Sequence, residues 1–315
     1  MWTTRFAAAH VGTKLSFLIY CRVELTSAGL SELKVGFIIN TSSGGCDAES
    51  EAKMLAQLKD AGIVEPRTWC GGAEKMERAF TEVAREPLQV LIVLGGDGTI
   101  RTAAEVCARK GHYLVPLAGG TMNMLPQALY GDVSWEDTLK NTLVAPSVKV
   151  LSGGQIADKR FFVAAIVGTP ALWAEARESI REGDFLEAVE KGTAAFQKMF
   201  ETKVQYEISE QIKGEAAAVA VICPLISEEM SDSQQALEAA VIDVESAAEM
   251  IGLATAAALG KWRNARNILL SKTALVSLRS SKNIPAILDG ERVDLGHSAE
   301  IDFVPKAVNV IVPAR

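Results

Sequence analysis

The first part of this sequence alternates short apolar runs with segments of helical periodicity. Val35–Ile39 is apolar, has the length of a strand, and ends in the turn-forming segment Asn40–Gly45; Ala48–Ala61 then carries apolar residues at helical spacing. The alternation recurs in three further places: Val64–Trp69 before Ala73–Arg85, Val90–Leu94 before a helix to about Arg109, and Tyr113–Leu117 before a second glycine loop. Wholly apolar strands that are each followed by a helix predict a parallel sheet covered on both faces.

The pattern changes after about Val148, where short apolar runs are separated by turn residues and predict a mainly antiparallel β-sandwich. The predicted strands are Val148–Leu151, Gln155–Ile156, Phe161–Val167, Lys203–Ile208, Ala217–Ile222, Ala274–Leu278, Ala286–Leu288, Glu300–Val304 and Val308–Val312. Helical inserts are expected near Trp173–Glu201 and Ser246–Leu259. We therefore expect an N-terminal extension at residues 1–33, an α/β domain at 34–147 and a β-rich domain at 148–315.

The composition narrows the class of partner. A formal net charge of -7 over 315 residues argues against a surface that binds nucleic acid. The five cysteines are scattered and form no zinc-binding or disulfide pattern, as expected of a reduced cytoplasmic protein. The longest uncharged apolar run, Ala216–Ile226, is too short to cross a bilayer. We therefore expect neither nucleic acid as a partner nor a membrane-spanning segment.

The most informative segment is the glycine loop Gly95-Gly96-Asp97-Gly98-Thr99, which follows the strongest strand and leads into a helix. Glycines let the backbone approach an anion, and the unpaired N–H groups at the start of a helix point toward it. The alternative is a tight turn in which Asp97 caps the helix, and an isolated glycine pair would favour that alternative. Three glycines with an acid and a hydroxyl favour a phosphate-binding loop.

A second glycine loop follows the next strand and contains Gly120, Thr121 and Asn123. Loops at the carboxyl ends of neighbouring parallel strands open on one edge of the sheet, so the two loops together predict a nucleotide cleft. Thr121 and Asn123 could hydrogen-bond a phosphate or ribose, or could cap the helix that follows. The sequence leaves both roles open.

Four motifs in this order carry a family resemblance: Asn40–Gly44, the loop Gly95–Thr99, Gly120–Asn123 and Leu288-Asp289-Gly290-Glu291. Over about residues 34–315 the chain resembles the diacylglycerol kinase catalytic-domain family, which includes bacterial lipid kinases and the sphingosine and ceramide kinases. The resemblance implies an NAD-kinase/phosphofructokinase-like α/β domain followed by a β-sandwich. It also implies a kinase that uses ATP and Mg²⁺ to transfer the γ-phosphate to a hydroxyl of a diacylglycerol-like or sphingoid-like lipid.

The resemblance also assigns roles to residues. Glu291 would be the general base, with Asp97 and Asp289 as the other catalytic residues, although Asp-Gly by itself signals an ordinary hairpin turn. The metal ligands stay unassigned. The nucleotide would be lined by Asn40, Thr68, Gly95, Gly96, Asp97, Gly98, Thr99, Gly120, Thr121 and Asn123.

The chain departs from the family pattern at several positions. Arg101-Thr102 stands where Asn-Glu is usual, Met124 replaces a common Asp, and Ala239-Ala240 stands where an Asp-Gly pair is usual near an accessory metal site. An NAD kinase-like small-molecule kinase is an alternative, disfavoured because the second motif of that class is missing. A non-catalytic nucleotide-binding regulatory protein is another. A lipid at a membrane surface is the expected partner, and both the identity of the lipid and a homodimer are left open.

Overall fold

The computed structural model describes residues 27–168, 203–230, 235–244, 249, 262–265 and 267–314. Strands and helices alternate up to residue 144: α1 Ser27–Ser31, β1 Val35–Asn40, α2 Ser50–Asp60, β2 Arg67–Gly71, α3 Ala73–Val83, β3 Val90–Gly95, α4 Asp97–Lys110, β4 Tyr113–Ala118, α5 Met124–Tyr130 and α6 Trp135–Val144. Apart from Glu249, the two predicted helical inserts lie outside the described residues.

The rest of the described chain is mainly β-structure, with a 3-10 turn at Trp262–Asn264. Its strands are β5 Pro146–Ile156, β6 Lys159–Phe161, β7 Ala164–Gly168, β8 Val204–Glu207, β9 Lys213–Ala216, β10 Ala218–Ile222, β11 Leu237–Ile242, β12 Ile268–Thr273, β13 Leu275–Arg279, β14 Pro285–Leu288, β15 Glu291–Asp294 and β16 Ser298–Pro313.

The first sheet begins with four parallel strands in the order β2-β1-β3-β4. Its strands are buried on both faces because helices cover each side: α3 and α4 pack on one face, and α2 and α6 pack on the other. The two faces alternate along each strand, so Ile38 belongs to one core cluster and Phe37 and Ile39 to the other. All the βα loops consequently open at one edge of this sheet.

The same sheet continues into antiparallel pairing in the order β16-β13-β8-β9, and β5 pairs with both β16 and β6. A second, antiparallel sheet has the order β12-β11-β10-β7-β14-β15. Side chains such as Phe161, Val276 and Leu288 from the facing strands form a separate core cluster between the sheets. The predicted fold class, a parallel α/β sheet followed by antiparallel β-structure, is confirmed.

Several predicted strand boundaries differ from the structure. The two strands predicted at 300–304 and 308–312 form one strand, β16, whose register shifts between Val304 and Val308. Strands β9, β11, β12 and β15 were not predicted. Polar residues interrupt the apolar run in β9, β12 and β15, whereas β11 is apolar apart from Glu238. The predicted domain boundary between residues 147 and 148 falls within β5, and the division into two domains stays a prediction.

One buried titratable group lies at the opposite edge of the sheet from the βα loops. His112 precedes β4, and burial lowers the pKa of its imidazole, with repulsion from Lys110 adding to the effect. Its Nε2 atom has no hydrogen-bond partner among the described residues. Protonation of His112 is therefore unfavourable in the folded state.

We expect the free energy of unfolding to fall as the pH drops below about 6.5, because the unfolded chain then takes up a proton that folded His112 resists. His112→Gln should remove this part of the pH dependence, whereas His297→Gln, at an exposed histidine, should retain it. Urea unfolding measured between pH 8 and pH 5 checks the prediction. Identical pH profiles for the two variants would contradict it.

Candidate active site

The first glycine loop connects β3 to α4 and is held by side chains from the end of β1 and from the loop that follows it. The backbone N–H of Gly96 donates to Ser43 Oγ at 3.0 Å. Asn40 Nδ2 donates to Thr99 Oγ1 at 2.9 Å. Because α4 begins at Asp97, these contacts hold the backbone N–H groups of its first turn in place.

The second glycine loop lies directly against the first. Asn123 has a left-handed backbone, with φ of 50°, which asparagine tolerates better than most residues. Its side chain brackets Gly120, accepting from that residue's N–H at 2.7 Å and donating to its carbonyl at 2.8 Å. A Cβ atom on Gly120 would lie 2.6 Å from the Cα of Gly96, so only glycine permits this approach.

Asp97 joins the two loops through its carboxylate. Oδ2 accepts from the N–H of Asn123 at 3.0 Å, and Oδ1 accepts from the N–H of Met124 at 2.6 Å. Asp97 therefore bonds the start of α5, and no side chain caps α4 at Gly96. Burial raises the pKa of the Asp97 carboxyl above its usual value, and the negative charge of Glu291 acts in the same direction.

Asp289 and Gly290 form a two-residue hairpin turn between β14 and β15, and both have positive φ, at 46° and 89°. The Asp289 carboxylate is buried and accepts three backbone N–H groups at 2.7 to 2.9 Å, from Phe162, Val163 and Ala164. Burial raises the pKa of Asp289 to about 6, against these hydrogen bonds. With both oxygens engaged, Asp289 is suited to hold the turn in place.

Glu291 follows this turn and reaches the first glycine loop. Its Oε1 accepts from the N–H of Gly98 at 3.0 Å. A Cβ atom on Gly98 would lie 2.9 Å from Glu291 Cδ, and one on Gly290 would lie 3.5 Å from Asp97 Cγ. Asp97 and Glu291, which are far apart in the sequence, therefore share one crevice.

Most of the predicted site residues meet at this edge of the sheet: Asn40, Gly95, Gly96, Asp97, Gly98, Thr99, Gly120, Asn123, Asp289 and Glu291. Thr121 lies in the second loop and is exposed. Thr68 does not join them, because it pairs with Phe37, three residues before the end of β1, and so lies about 10 Å below the rim.

Two residues of the site were not among the predicted ones. Ser43 accepts from Gly96, and Ser42 Oγ accepts from the N–H of Ala73 at 3.0 Å, at the start of α3. Both serines belong to the turn-forming segment after β1. Their hydroxyl groups were the one feature of the sequence that could have indicated a role in hydrogen bonding. Their partners come from other βα units, which the local sequence does not reveal.

A groove of about 820 Å³ runs between α3 and α4 and opens at Asn40, Gly98 and Thr99. Its walls are mainly apolar, with Phe80 on α3 and Val106 on α4. Grooves that bind small molecules are commonly of this size and character. The described structure thus provides a phosphate-compatible rim that continues into a groove able to take the remainder of a nucleotide.

The fold and the site define a class of protein. Two neighbouring glycine loops at one edge of a parallel sheet are suited to bind phosphates, and a second sheet supplies a carboxylate beside them. Residues 34–154 match the family model described as Diacylglycerol kinase catalytic domain. The resemblance to this family is thereby confirmed, and the matched segment contains both glycine loops.

Three solved structures of proteins from Bacillus anthracis str. Sterne share the fold, one described as a diacylglycerol kinase and two as candidate diacylglycerol kinases. The first is 16% identical and covers 89% of this chain and 96% of its own, with a TM-score of 0.61. The second is 18% identical, covering 89% and 97%, with a TM-score of 0.64. The third is 16% identical, covering 88% and 96%, with a TM-score of 0.65.

We expect Asp97→Asn to lower the free energy of unfolding by about 1–3 kcal/mol, because its amide would place a donor against the N–H of Asn123 or Met124. Asp158→Asn, at an exposed turn between β5 and β6, is the matched control and should change stability little. Urea unfolding at neutral pH measures both. Equal stability of Asp97→Asn and the wild type would show that the two hydrogen bonds do not hold the loops together.

Proposed function

We propose that this protein is an ATP-dependent lipid kinase, which transfers the γ-phosphate of ATP to a hydroxyl of a diacylglycerol-like or sphingoid-like lipid. The observation that carries the proposal is the contact between Glu291 and the N–H of Gly98. It brings a carboxylate from the second sheet to the loop where a phosphate would bind. Phosphoryl transfer depends mainly on such positioning of charge and acceptor.

In this proposal the nucleotide phosphates bind at the two glycine loops. Apart from the N–H of Gly98, which is donated to Glu291, the N–H groups of the first turn of α4 would face the phosphates. The positive end of the helix dipole would favour the phosphate charge. Asn40 and Thr99 stand where the α3–α4 groove opens from the loop, so the groove would take the ribose and base. Thr68, below the rim, would be outside this contact.

The donor set is compatible with Mg²⁺. Magnesium is usually bound by one or two carboxylates, substrate phosphates and several waters, so a dense cluster of protein ligands is not required. Asp97 fits this role, because a carboxylate can accept further contacts beside its two backbone N–H donors. When bound, the ion would neutralise part of the phosphate charge. Asp97 is the residue that would hold the ion.

Glu291 would act as the general base. Gly98 orients the carboxylate through Oε1, which leaves Oε2 to accept the proton of the lipid hydroxyl. The oxygen of that hydroxyl would then form a bond to the γ-phosphorus as the bond to the β-phosphate oxygen breaks, releasing ADP. Asp289 would contribute indirectly, by fixing the turn that precedes Glu291.

The lipid would approach from the open side of the crevice. Met122 is half exposed in the second loop, and Met124 lies beside Gly290, so an apolar chain would meet apolar side chains near the base. In the described ranges, no helix is long and apolar enough to cross a membrane. We propose a cytoplasmic protein that meets its lipid at the membrane surface.

A phosphate-transfer screen tests this function. Purified protein is incubated with ATP labelled at the γ-phosphate, Mg²⁺ and either extracted lipids dispersed in detergent or NAD. A labelled lipid is the expected product and would identify the acceptor. Labelled NADP would establish the NAD kinase-like alternative, and nucleotide binding without any labelled product would favour the regulatory alternative.

We expect Glu291→Gln to lower kcat by roughly 10²- to 10⁴-fold, because glutamine cannot accept the proton. The KM for ATP should change little, since the amide oxygen can still accept from Gly98. Glu300→Gln, on the exposed side of β16, is the matched control and should retain wild-type kinetics. Wild-type kcat in Glu291→Gln would remove this residue from the reaction.

A further inference from the structure

The segment after β1 supplies hydroxyl groups to two helices that begin elsewhere in the chain. Ser42 Oγ accepts from the N–H of Ala73, the first residue of α3, at 3.0 Å. Ser43 Oγ accepts from the N–H of Gly96, immediately before α4, at 3.0 Å. The partners are 31 and 53 positions away in the sequence, so these hydrogen bonds constrain the tertiary placement of the helices.

Both helices need these acceptors because neither has a cap of its own. The residue before α3 is Gly72 and the residue before α4 is Gly96, and glycine has no side chain that could accept a hydrogen bond. The first N–H groups of a helix have no partner within the helix, and a serine hydroxyl is among the acceptors preferred at this position. The two serines therefore act as caps that are supplied from outside each helix.

The helices α3 and α4 form the two walls of the groove that opens at the first glycine loop. Ala73, whose N–H is bound by Ser42, lines this groove, and so do Asn40 and Thr99, which are hydrogen-bonded to each other at 2.9 Å. Asn40 Oδ1 also accepts from the N–H of Ser42 at 3.1 Å. The end of β1 and the two serines after it thus contact the start of both walls, at the mouth of the groove.

The simpler explanation is that the two serines only stabilise helix ends. Ser134 is a cap of that ordinary kind: it precedes α6, and its Oγ accepts from the N–H of Asp137, three residues later, at 3.1 Å. Such a local cap does not constrain how its helix lies relative to other elements. Ser42 and Ser43 differ because each joins its helix to another βα unit.

We propose that Ser42 and Ser43 are positioning residues: together they hold α3 and α4 at the spacing that the nucleotide groove requires. This inference rests on the proposed function, in which the groove takes the ribose and base and the glycine loops take the phosphates. Ser42 acts on the wall formed by α3, whereas Ser43 acts on the first glycine loop, at the start of α4. The two serines should therefore affect different parts of the nucleotide.

Calorimetric titration separates the two effects, with ATP and inorganic tripolyphosphate as probes, because tripolyphosphate has phosphates but no ribose or base. In Ser42→Ala we expect the Kd for ATP to rise roughly 3- to 10-fold, as for the loss of one hydrogen bond, and the Kd for tripolyphosphate to stay unchanged. In Ser43→Ala both dissociation constants should rise by a similar factor. Ser42→Thr and Ser43→Thr keep the hydroxyl and should bind ATP within about twofold of the wild type.

Ser134→Ala is the matched control, because it removes a helix cap of the same chemistry on the opposite face of the sheet from the groove. It should lose stability to urea as the other two alanine variants do, but should bind ATP as the wild type does. An equal rise in the Kd for ATP in Ser134→Ala, or wild-type affinity in the double variant Ser42→Ala/Ser43→Ala, would overturn the proposal. If the double variant does not fold, the two single variants decide by the same comparison.

Amide hydrogen exchange followed by NMR tests the contacts without any nucleotide. The amide of Ala73 should exchange several-fold faster in Ser42→Ala, and that of Gly96 in Ser43→Ala, whereas neither should change in Ser134→Ala. Unchanged exchange at both amides would overturn the proposal. Failure of the wild type to bind ATP would instead count against the proposed function, and the exchange rates would still decide whether the serines hold the two helices.

Discussion

The contact on which this architecture depends is the hydrogen bond from the Gly98 N–H to the Glu291 carboxylate, between residues 193 positions apart. It joins the first turn of α4 to the second sheet. It can form only because Gly98 has no Cβ and because Asp289 fixes the turn before Glu291 through three backbone N–H groups. The crevice is thus defined by backbone groups and by the partly buried carboxylates of Asp97 and Glu291.

The proximity of two carboxylates, those of Asp97 and Glu291, has an electrostatic cost. Burial disfavours the ionised form of Asp97, and the nearby negative charge of Glu291 adds to this effect. Backbone N–H groups from Asn123, Met124 and Gly98 offset part of the cost. A crevice with this distribution of charge is suited to a bound cation together with a phosphate, which is the arrangement that phosphoryl transfer requires.

The comparisons with known proteins are consistent with a site held together mainly by backbone contacts. The family match covers residues 34–154, where the glycine loops place backbone groups, and the solved structures share the fold at identities of 16–18%. Backbone-mediated contacts tolerate such divergence because they constrain a few glycines and carboxylates and leave other positions variable.

The sequence alone determined the parallel sheet, the shared edge of the two glycine loops and the Asp-Gly hairpin, because strand periodicity, glycine positions and turn residues are local signals. Tertiary structure decided the partners. It placed Thr68 away from the edge of the sheet where the glycine loops lie, and it brought Ser43 into hydrogen-bonding distance of Gly96. It also provided backbone N–H groups that donate to the Asp289 carboxylate. These contacts join residues tens to hundreds of positions apart, and only the packing of the two sheets specifies which backbone groups a given side chain meets.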